Sequence, residues 1–172
     1  MNLADLHAAI ETVLRAGLPG VDVQSYPDLG ERVGLPLVVL EASEFSPADD
    51  TGTGELSLEA TVQARLVFDP TQPEAEIAVR QLALRLALLV HQGRSFGLPV
   101  TPARLRQIAP DGFRADLDGY LVWLVEWVHE LDIGEPEELE MPVFQPVEVL
   151  FSAVPSGVPV APDGYEALPV SP

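Results

Sequence analysis

The side chains best suited to chemistry in this 172-residue chain are three histidines and one pair of adjacent aspartates. His7, His91 and His129 show neither the HxxH nor the HExxH spacing through which a helix presents two ligands to one metal. Asp49 and Asp50 lie among turn residues, where a solvated loop is favoured over a metal site or an acid–base pair. We therefore expect the histidines to be ordinary surface or sheet residues and the two aspartates to lie in an exposed loop.

Other catalytic signatures are missing from the sequence. The GTG at 52–54 lacks the length, the lysine and the Ser/Thr of a phosphate-binding loop, and no GxSxG occurs. The chain contains no cysteine, which excludes disulfides, thiolate metal sites and cysteine nucleophiles. Catalytic groups can converge from distant positions, but nothing here predicts a catalytic residue, a cofactor or a metal. We expect a protein that is not an enzyme.

The charge is strongly acidic and limits the partners. The chain carries 27 acidic residues and 9 basic ones, all arginine, for a formal net charge of -18. Gripping nucleic acid or an anionic membrane needs concentrated basic side chains, whereas a like-charged wall lets DNA pass without holding it. The first residues carry acids and no basic n-region, and no apolar run reaches the roughly 20 residues of a membrane span. We expect a soluble protein made without export.

Hydrophobic periodicity predicts the elements that must position these residues. Apolar residues at helical spacing predict helices over 2–16 and 74–92. Alternating or continuous apolar runs predict strands over 21–26, 35–43, 55–68, 103–109 and 119–133, and 44–54 reads as an exposed loop. The run 35–43 is apolar enough to be covered on both faces. A helix is the alternative for 119–133, but its alternation and its aromatic and β-branched residues favour a strand.

These elements predict two parts of the chain. Residues 1–133 form an α+β domain, a mostly antiparallel sheet with two helices packed on it, in the order α-β-β-β-α-β-β. Residues 134–172 hold eight of the 17 prolines, seven acids and no base. So many prolines exclude a helix or a central strand, yet several large apolar residues make this segment unlike a pure solvated spacer. We expect an extended, acidic, proline-rich arm that lies against another protein.

Two groups of apolar residues are candidate contacts with a subunit or partner. Trp123 and Trp127 share one face of the strand 119–133, where they could form a subunit interface, a ligand-stacking platform or simply core packing beneath a helix. In the arm, the candidates are Phe144, Val147, Leu150, Phe151 and Tyr165. The acidic run 135–140 has two interpretations, a solvated hinge and a docking patch for a basic partner.

The sequence resembles the phage tail terminator family, also called tail-completion or head–tail joining proteins. The likeness rests on GLPGVDVQSYP (17–27) followed by LPLVVLE (35–41), on TVQARLVF (61–68) before the helix 75–92, and above all on GYLVWLVEWVHELDIGE (119–135). The closing VLFSAVPSGVPVAPDGYEALP (149–169) is similar to arms that follow this domain in some tail proteins. This chain departs from the family in its large acidic excess, its lack of lysine and the length of its arm.

The resemblance implies a structural virion protein at the neck of a tail, assembled in the cytoplasm of a bacterial host. Such proteins form a homo-oligomeric ring, usually of six copies, which caps the tail tube, stops its polymerisation and joins it to head-completion proteins. DNA crosses the lumen without specific binding, and Asp49, Asp50 and Glu55 are candidate lumen-facing acids. The alternatives are another neck or baseplate connector, a small bacterial ligand-binding domain or enzyme that uses the Trp123 and Trp127 face, and an adaptor whose acidic arm docks a basic partner.

Overall fold

The computed structural model describes residues 2–27, 34–112, 119–135, 150–152 and 165–167. The chain divides into two units, Met1–Glu137 and Glu138–Pro172. In chain order the first unit contains α1 (Leu3–Gly17), β1 (Asp22–Ser25), β2 (Leu37–Pro47), β3 (Leu56–Phe68), α2 (Ala75–Gly93), β4 (Arg104–Pro110) and β5 (Leu121–Ile133). The second unit contains β6 (Leu150–Ser152) and β7 (Tyr165–Ala167), which pair antiparallel.

The first unit is built on a five-stranded mixed sheet in the order β1-β2-β3-β5-β4. Only β1 and β2 run parallel; the other three neighbouring pairs are antiparallel. Both helices pack on this sheet. The α+β fold predicted from the sequence, with its mostly antiparallel sheet and its order α-β-β-β-α-β-β, is confirmed.

The first helix, α1, begins at a side-chain cap and ends at a close approach to α2. The Asn2 side-chain oxygen accepts a hydrogen bond of 3.0 Å from the Ala4 N–H, which satisfies one of the free donors at a helix start. A Cβ at position 17 would lie 2.4 Å from a methyl carbon of Leu89. Glycine at the end of α1 therefore lets the two helices come into contact.

The second helix, α2, covers the centre of the sheet. Its core-facing residues recur at helical spacing and are buried: Val79, Ala83, Leu86 and Val90. They pack in one cluster with inward-facing residues of the strands, among them Ala60, Val62, Ala64, Leu66, Val125 and Leu131. The opposite face of α2 carries exposed residues, so the helix is amphipathic, as its sequence predicts.

Strands β3 and β5 are the two longest strands and lie next to each other in the sheet. They pair without a register shift over thirteen residues, from Leu56 opposite Ile133 to Phe68 opposite Leu121. At about 3.3 Å per residue, each strand is about 40 Å long. The alternation predicted for both strands is confirmed, because alternate residues from Leu58 to Phe68 and from Leu121 to Leu131 lie on the side of the sheet that faces the helices. The strand interpretation of 119–133 is therefore confirmed over the helical alternative.

The sheet has a second, smaller apolar cluster on the face opposite the helices. It consists of Leu37, Val39, Val67 and Val122, with Leu35 packed against it. Residues 37–40 of β2 are all buried, two in this cluster and two in the main core. The expectation that 35–43 is covered on both faces is confirmed for residues 37–40 only, because 35, 36, 41 and 42 are half-buried and Ser43 is exposed.

One predicted boundary is wrong. The segment 44–54 was expected to be a loop, but β2 continues to Pro47 after a β-bulge between Ala42 and Glu44. Residues 44–47 are in strand because they pair with the first part of β3, from Thr61 to Leu58. The bulge accommodates one extra residue in β2. The residues whose composition predicted a loop lie at the end of this strand. The connection between β2 and β3 is shortened to residues 48–55.

Candidate functional site

The two tryptophans of β5 differ in accessibility. Trp127 is fully buried in the main core, whereas Trp123 is half-buried, with the guanidinium carbon of Arg80 5.1 Å from its ring centre. That distance gives a cation–π contact between α2 and β5. In the folded subunit the Trp127 indole therefore packs the core, as one of the sequence alternatives had it, and only Trp123 keeps surface for a partner.

A buried histidine sits beside Trp127. The Trp127 indole N–H donates to Nε2 of His129 at 3.1 Å, so His129 must carry its proton on Nδ1, which donates to the Thr101 carbonyl at 2.7 Å. Burial lowers the pKa of His129, and the hydrogen bond to Thr101 opposes this only in part. The neutral ring ties the centre of β5 to the segment that precedes β4, which is a structural role.

The fold assembles one polar cluster that the sequence did not predict. His7 and Glu11 of α1 lie against Ser25 at the end of β1 and Tyr26 just after it. The Ser25 hydroxyl donates to Glu11 and lies 3.2 Å from His7 Nδ1, while the Tyr26 hydroxyl lies 3.2 Å from His7 Nε2. Residues eighteen positions apart, such as His7 and Ser25, offer no motif spacing, so only the packing of α1 on β1 could bring them together.

The direction of these hydrogen bonds decides what this cluster can do. A serine hydroxyl has one proton, and Ser25 gives it to Glu11, so His7 Nδ1–H donates to the Ser25 oxygen. His7 Nε2 then accepts from Tyr26. Activation of a serine requires the opposite direction, with the histidine accepting the serine proton. Burial lowers the pKa of His7, although the nearby Glu11 raises it. The cluster holds β1 on α1, and its hydrogen bonds do not run in the direction that a catalytic triad requires.

The same packing closes the open edge of β1. Asp22 and Tyr26 donate their N–H groups toward β2, so the carbonyl of Val23 between them points away from the sheet. Arg15 of α1 donates to this carbonyl at 2.6 Å and also forms an ion pair of 2.7 Å with Glu11. A strand of another chain could not pair with β1 without displacing this arginine.

The opposite edge of the sheet is open. Residues 104–108 of β4 are all exposed, and in the described part of the chain no strand pairs with the outer side of β4. Arg104 and Arg106, a register shift after Leu105 and the closing Pro110 are the features by which natural edge strands discourage pairing.

The sheet face opposite the helices carries a buried ion-pair centre. Arg65 is 8% exposed and contacts two carboxylates, Asp111 at 2.7 Å through Nε and Glu41 through Nη1. It also donates to the Gln63 side chain at 2.6 Å, and Gln63 donates to Glu126 at 2.6 Å. This network joins β2, β3, β5 and the residue after β4 across the face.

The sheet end near the β2–β3 connection is acidic. Asp49 and Asp50 are exposed, and Glu55 is half-buried and accepts from Thr53 at 3.1 Å. A cleft of about 300 Å³ beside Asp49 is lined by residues of both sheet and loop, among them Ser57, Thr101, Glu130 and Asp132. Among the described residues, no three His, Asp or Glu side chains are arranged to hold a metal. The exposure of Asp49 and Asp50 agrees with the predicted loop; their position toward a lumen stays a prediction.

Two groups of exposed large apolar side chains stand out among the residues that the structure describes. The first, which we call the α2 ridge, is Ile77, Leu84 and Leu88, each between 53% and 62% exposed. The second, which we call the strand-end patch, is Phe45, Leu56 and Ile133, each between 41% and 58% exposed. Large apolar side chains grouped at the surface of a folded unit mark interaction sites more often than chance exposure.

The arm candidates are only partly described. Leu150 and Phe151 lie in β6 and Tyr165 lies in β7, with Phe151 opposite Glu166 in the pairing. Phe144 and Val147 lie outside the described residues. The role of these five residues in partner binding stays a prediction.

Comparison with known proteins finds similarity among solved structures. No family model matches the chain, and no curated protein is similar to it. A cryo-EM structure of the anti-feeding prophage cap (AFP tube terminating cap) is similar at 17% sequence identity and a TM-score of 0.43. The match covers 90% of this chain and 62% of that one, so this chain spans less than two thirds of that protein's length. In the described part of this chain, no helix is both long and apolar enough to cross a membrane.

Proposed function

We propose that this protein is a structural component of a phage or phage-derived tail that assembles into a homo-oligomeric ring. The observation that carries the proposal is the pair of separate apolar surfaces, the α2 ridge and the strand-end patch, on a unit whose own core is complete. Two different surfaces on one subunit make a head-to-tail contact, and such a contact closes into a ring when its rotation allows. The fold and element order agree with what the resemblance to tail terminators implies.

In this proposal the ring, of about six copies, caps the finished tail tube, stops its polymerisation and joins it to the head and neck proteins. The tube protein and a head-completion protein are the partners, and the assembled virion tail is the location, after assembly in the host cytoplasm. No bond chemistry is required, so the protein acts without a catalytic site or cofactor.

The electrostatics are compatible with DNA passing through such a ring. The subunit has a net charge of -18, and its arginines are engaged with its own carboxylates at several places, including Arg65 with Asp111 and Arg104 with Glu59. Phosphates therefore meet few uncommitted cations, and a channel lined by this protein would let DNA slide without holding it.

The ligand-binding alternative loses its main support. A stacking platform needs two accessible rings, and Trp127 is 0% exposed. The enzyme alternative placed its site on the same Trp123 and Trp127 face and loses the same support. A connector elsewhere in the tail, at the neck or baseplate, uses the same kind of contacts and is separated by the following experiment.

The test is to add the purified protein, gold-labelled, to growing tubes of the tube protein from the same particle. We expect shorter tubes that carry label at one end only. Leu84→Glu, which places a charge on the α2 ridge, should lose capping, and Gln107→Glu, on the exposed edge strand β4 and away from the ridge, should keep it. Tubes of unchanged length without end label would contradict the proposal, and label at the baseplate end would instead favour a baseplate connector.

A further inference from the structure

We propose that neighbouring copies of this protein contact each other head to tail, with the α2 ridge of one copy packed on the strand-end patch of the next. This inference rests on the proposed ring and specifies which surfaces build it. It is argued from the geometry of the two surfaces and from the charges that surround them.

The α2 ridge is a straight apolar line. Ile77, Leu84 and Leu88 are seven and four residues apart, which places them on one side of the helix. They span about 16 Å at 1.5 Å per residue. The core of the subunit is filled from the other side of α2, by residues such as Leu86 and Val90, so the ridge has no partner within the described unit.

The strand-end patch is exposed because the long strands extend beyond the part of the sheet that the helices cover. Leu56 pairs with Ile133 and Phe45 pairs with Ala60, so these side chains lie on the same sheet face as the main core. Ala60 is fully buried, whereas Leu56 at the end of the strand is 58% exposed. The core-facing side of the sheet thus continues beyond the helices as an uncovered apolar surface.

The charges around the two surfaces are opposite. From Glu74 to Arg94 the helix with its two cap residues carries three arginines, Arg80, Arg85 and Arg94, and two acids, Glu74 and Glu76. Segments 43–57 and 130–135, which form the strand end, carry seven acids and no base. Three of these acids, Glu44, Glu130 and Asp132, pair with residues of the opposite sheet face. The other four, Asp49, Asp50, Glu55 and Glu135, lie in the chain segments that adjoin the strand-end patch. Arg85 and Arg94 form no ion pair with a described residue, and the exposed Arg80–Glu76 pair contributes little and can rearrange on binding. A positive surface facing a negative one guides docking and fixes its register.

These charges also exclude the symmetric arrangements. Two α2 ridges face to face would bring six arginines together, and two strand ends would bring their acids together, and like charges across an interface are unfavourable. Only when the α2 ridge of one copy packs on the strand-end patch of another do apolar residues meet apolar residues and positive charges meet negative charges. That pairing uses a different surface on each partner, which is the contact that builds closed rings.

The absence of cysteine makes the test direct. Leu84→Cys and Leu56→Cys are made singly and together and treated with a short bis-maleimide cross-linker. We expect the double variant to give a ladder that ends at the closed ring and an equal mixture of the single variants to give dimers. Each single variant alone should stay monomeric on a denaturing gel. As a matched control, Leu84→Cys with Gln107→Cys, which is on the exposed edge strand β4, should not cross-link.

Sedimentation of the unmodified protein separates failure of this inference from failure of the ring. If it forms rings but the 56 and 84 positions do not cross-link, the pairing of surfaces is wrong and the ring stands. Dimers from Leu84→Cys alone would show a symmetric helix contact, and cross-links to position 107 would show an edge-strand contact; either result overturns the inference. Leu84→Glu should weaken assembly about tenfold or more, because it places a charge in the apolar contact.

Discussion

Arg65 is the residue on which the outer sheet face most depends. Its guanidinium lies between Asp111 and Glu41, with side-chain exposures of 10%, 4% and 18% for the three residues. We expect Arg65→Met to lower the free energy of unfolding by about 3–5 kcal/mol, because it removes the cation that two poorly hydrated carboxylates share. Urea unfolding followed by the fluorescence of the two tryptophans measures this loss.

The matched control is Arg104→Met, on the same face. Arg104 pairs with Glu59 at 2.6 Å and Glu130 at 2.8 Å, but its side chain is 53% exposed, so the change should cost less than about 1 kcal/mol. Equal losses from the two substitutions would contradict the distinction between the buried and the exposed ion pairs.

The buried histidines predict how stability depends on pH. Burial lowers the pKa of His129 and of His7, so in the unfolded chain both rings take up a proton at higher pH than in the folded protein. Their full contribution to stability is therefore present above about pH 6.5 and is lost as the pH falls below it, by at most about 1.4 kcal/mol per pH unit for each ring. Urea unfolding between pH 7.5 and 5.5 tests this expectation.

Substitution identifies the source of that pH dependence. His129→Gln should make stability depend less on pH between 7.5 and 5.5. It should also lower the free energy of unfolding at pH 7.5 by about 1–3 kcal/mol, since the Trp127 N–H and the Thr101 carbonyl lose their hydrogen bonds to the ring. Stability that does not fall toward pH 5.5 in the unmodified protein would contradict the assignment.

For single residues, the sequence predicted the element and face on which a residue lies better than the residues that it contacts. Alternation placed Trp127 on the helix side of its strand but left core and interface open, because burial depends on the position of α2 over the sheet. The contact between His7 and Ser25 and the role of Arg65 between Glu41 and Asp111 join residues from different elements, so no local pattern contains them.

Among the elements, α2 has two faces with opposite expected roles. Leu86 is fully buried and Leu84 is 62% exposed, only two residues away. Leu86→Ala should lower the free energy of unfolding by about 2–5 kcal/mol, because it leaves a cavity in the core. Leu84→Ala should change it by less than about 0.5 kcal/mol when measured on dilute monomer. A larger loss at Leu84 than at Leu86 would contradict the orientation of the helix.

The elements themselves were largely predictable because their periodicity is strong. Helix and strand positions follow from apolar spacing, and β5 places Val125, Trp127 and Leu131 in the core on the helix side, as its alternation predicts. The end of β2 has no strand pattern of its own, because residues 44–47 combine Glu44 and Phe45 with a serine and a proline; pairing with β3 holds them in strand. The strand order β3-β5-β4 also has no local signal, since it depends on which chain segments meet in the folded sheet.

For the whole molecule, charge predicts the behaviour toward DNA. With 27 acids against 9 arginines, the protein should not bind duplex DNA even at low salt, where attraction to phosphate is strongest. Fluorescence anisotropy of a labelled duplex, with a basic DNA-binding protein as the positive control, checks this. Binding in the micromolar range would mean that the arginines form a concentrated basic surface on the assembled protein, contrary to the proposed passive channel.

The assembly state tests the central claim most directly. Sedimentation velocity over a range of concentrations, alone and with tube protein, should show a discrete species of about six subunits, with open-centred rings in negative stain. The proposed ring requires that this species is closed and does not grow into filaments. Monomers at every concentration, both alone and with tube protein, would contradict the account.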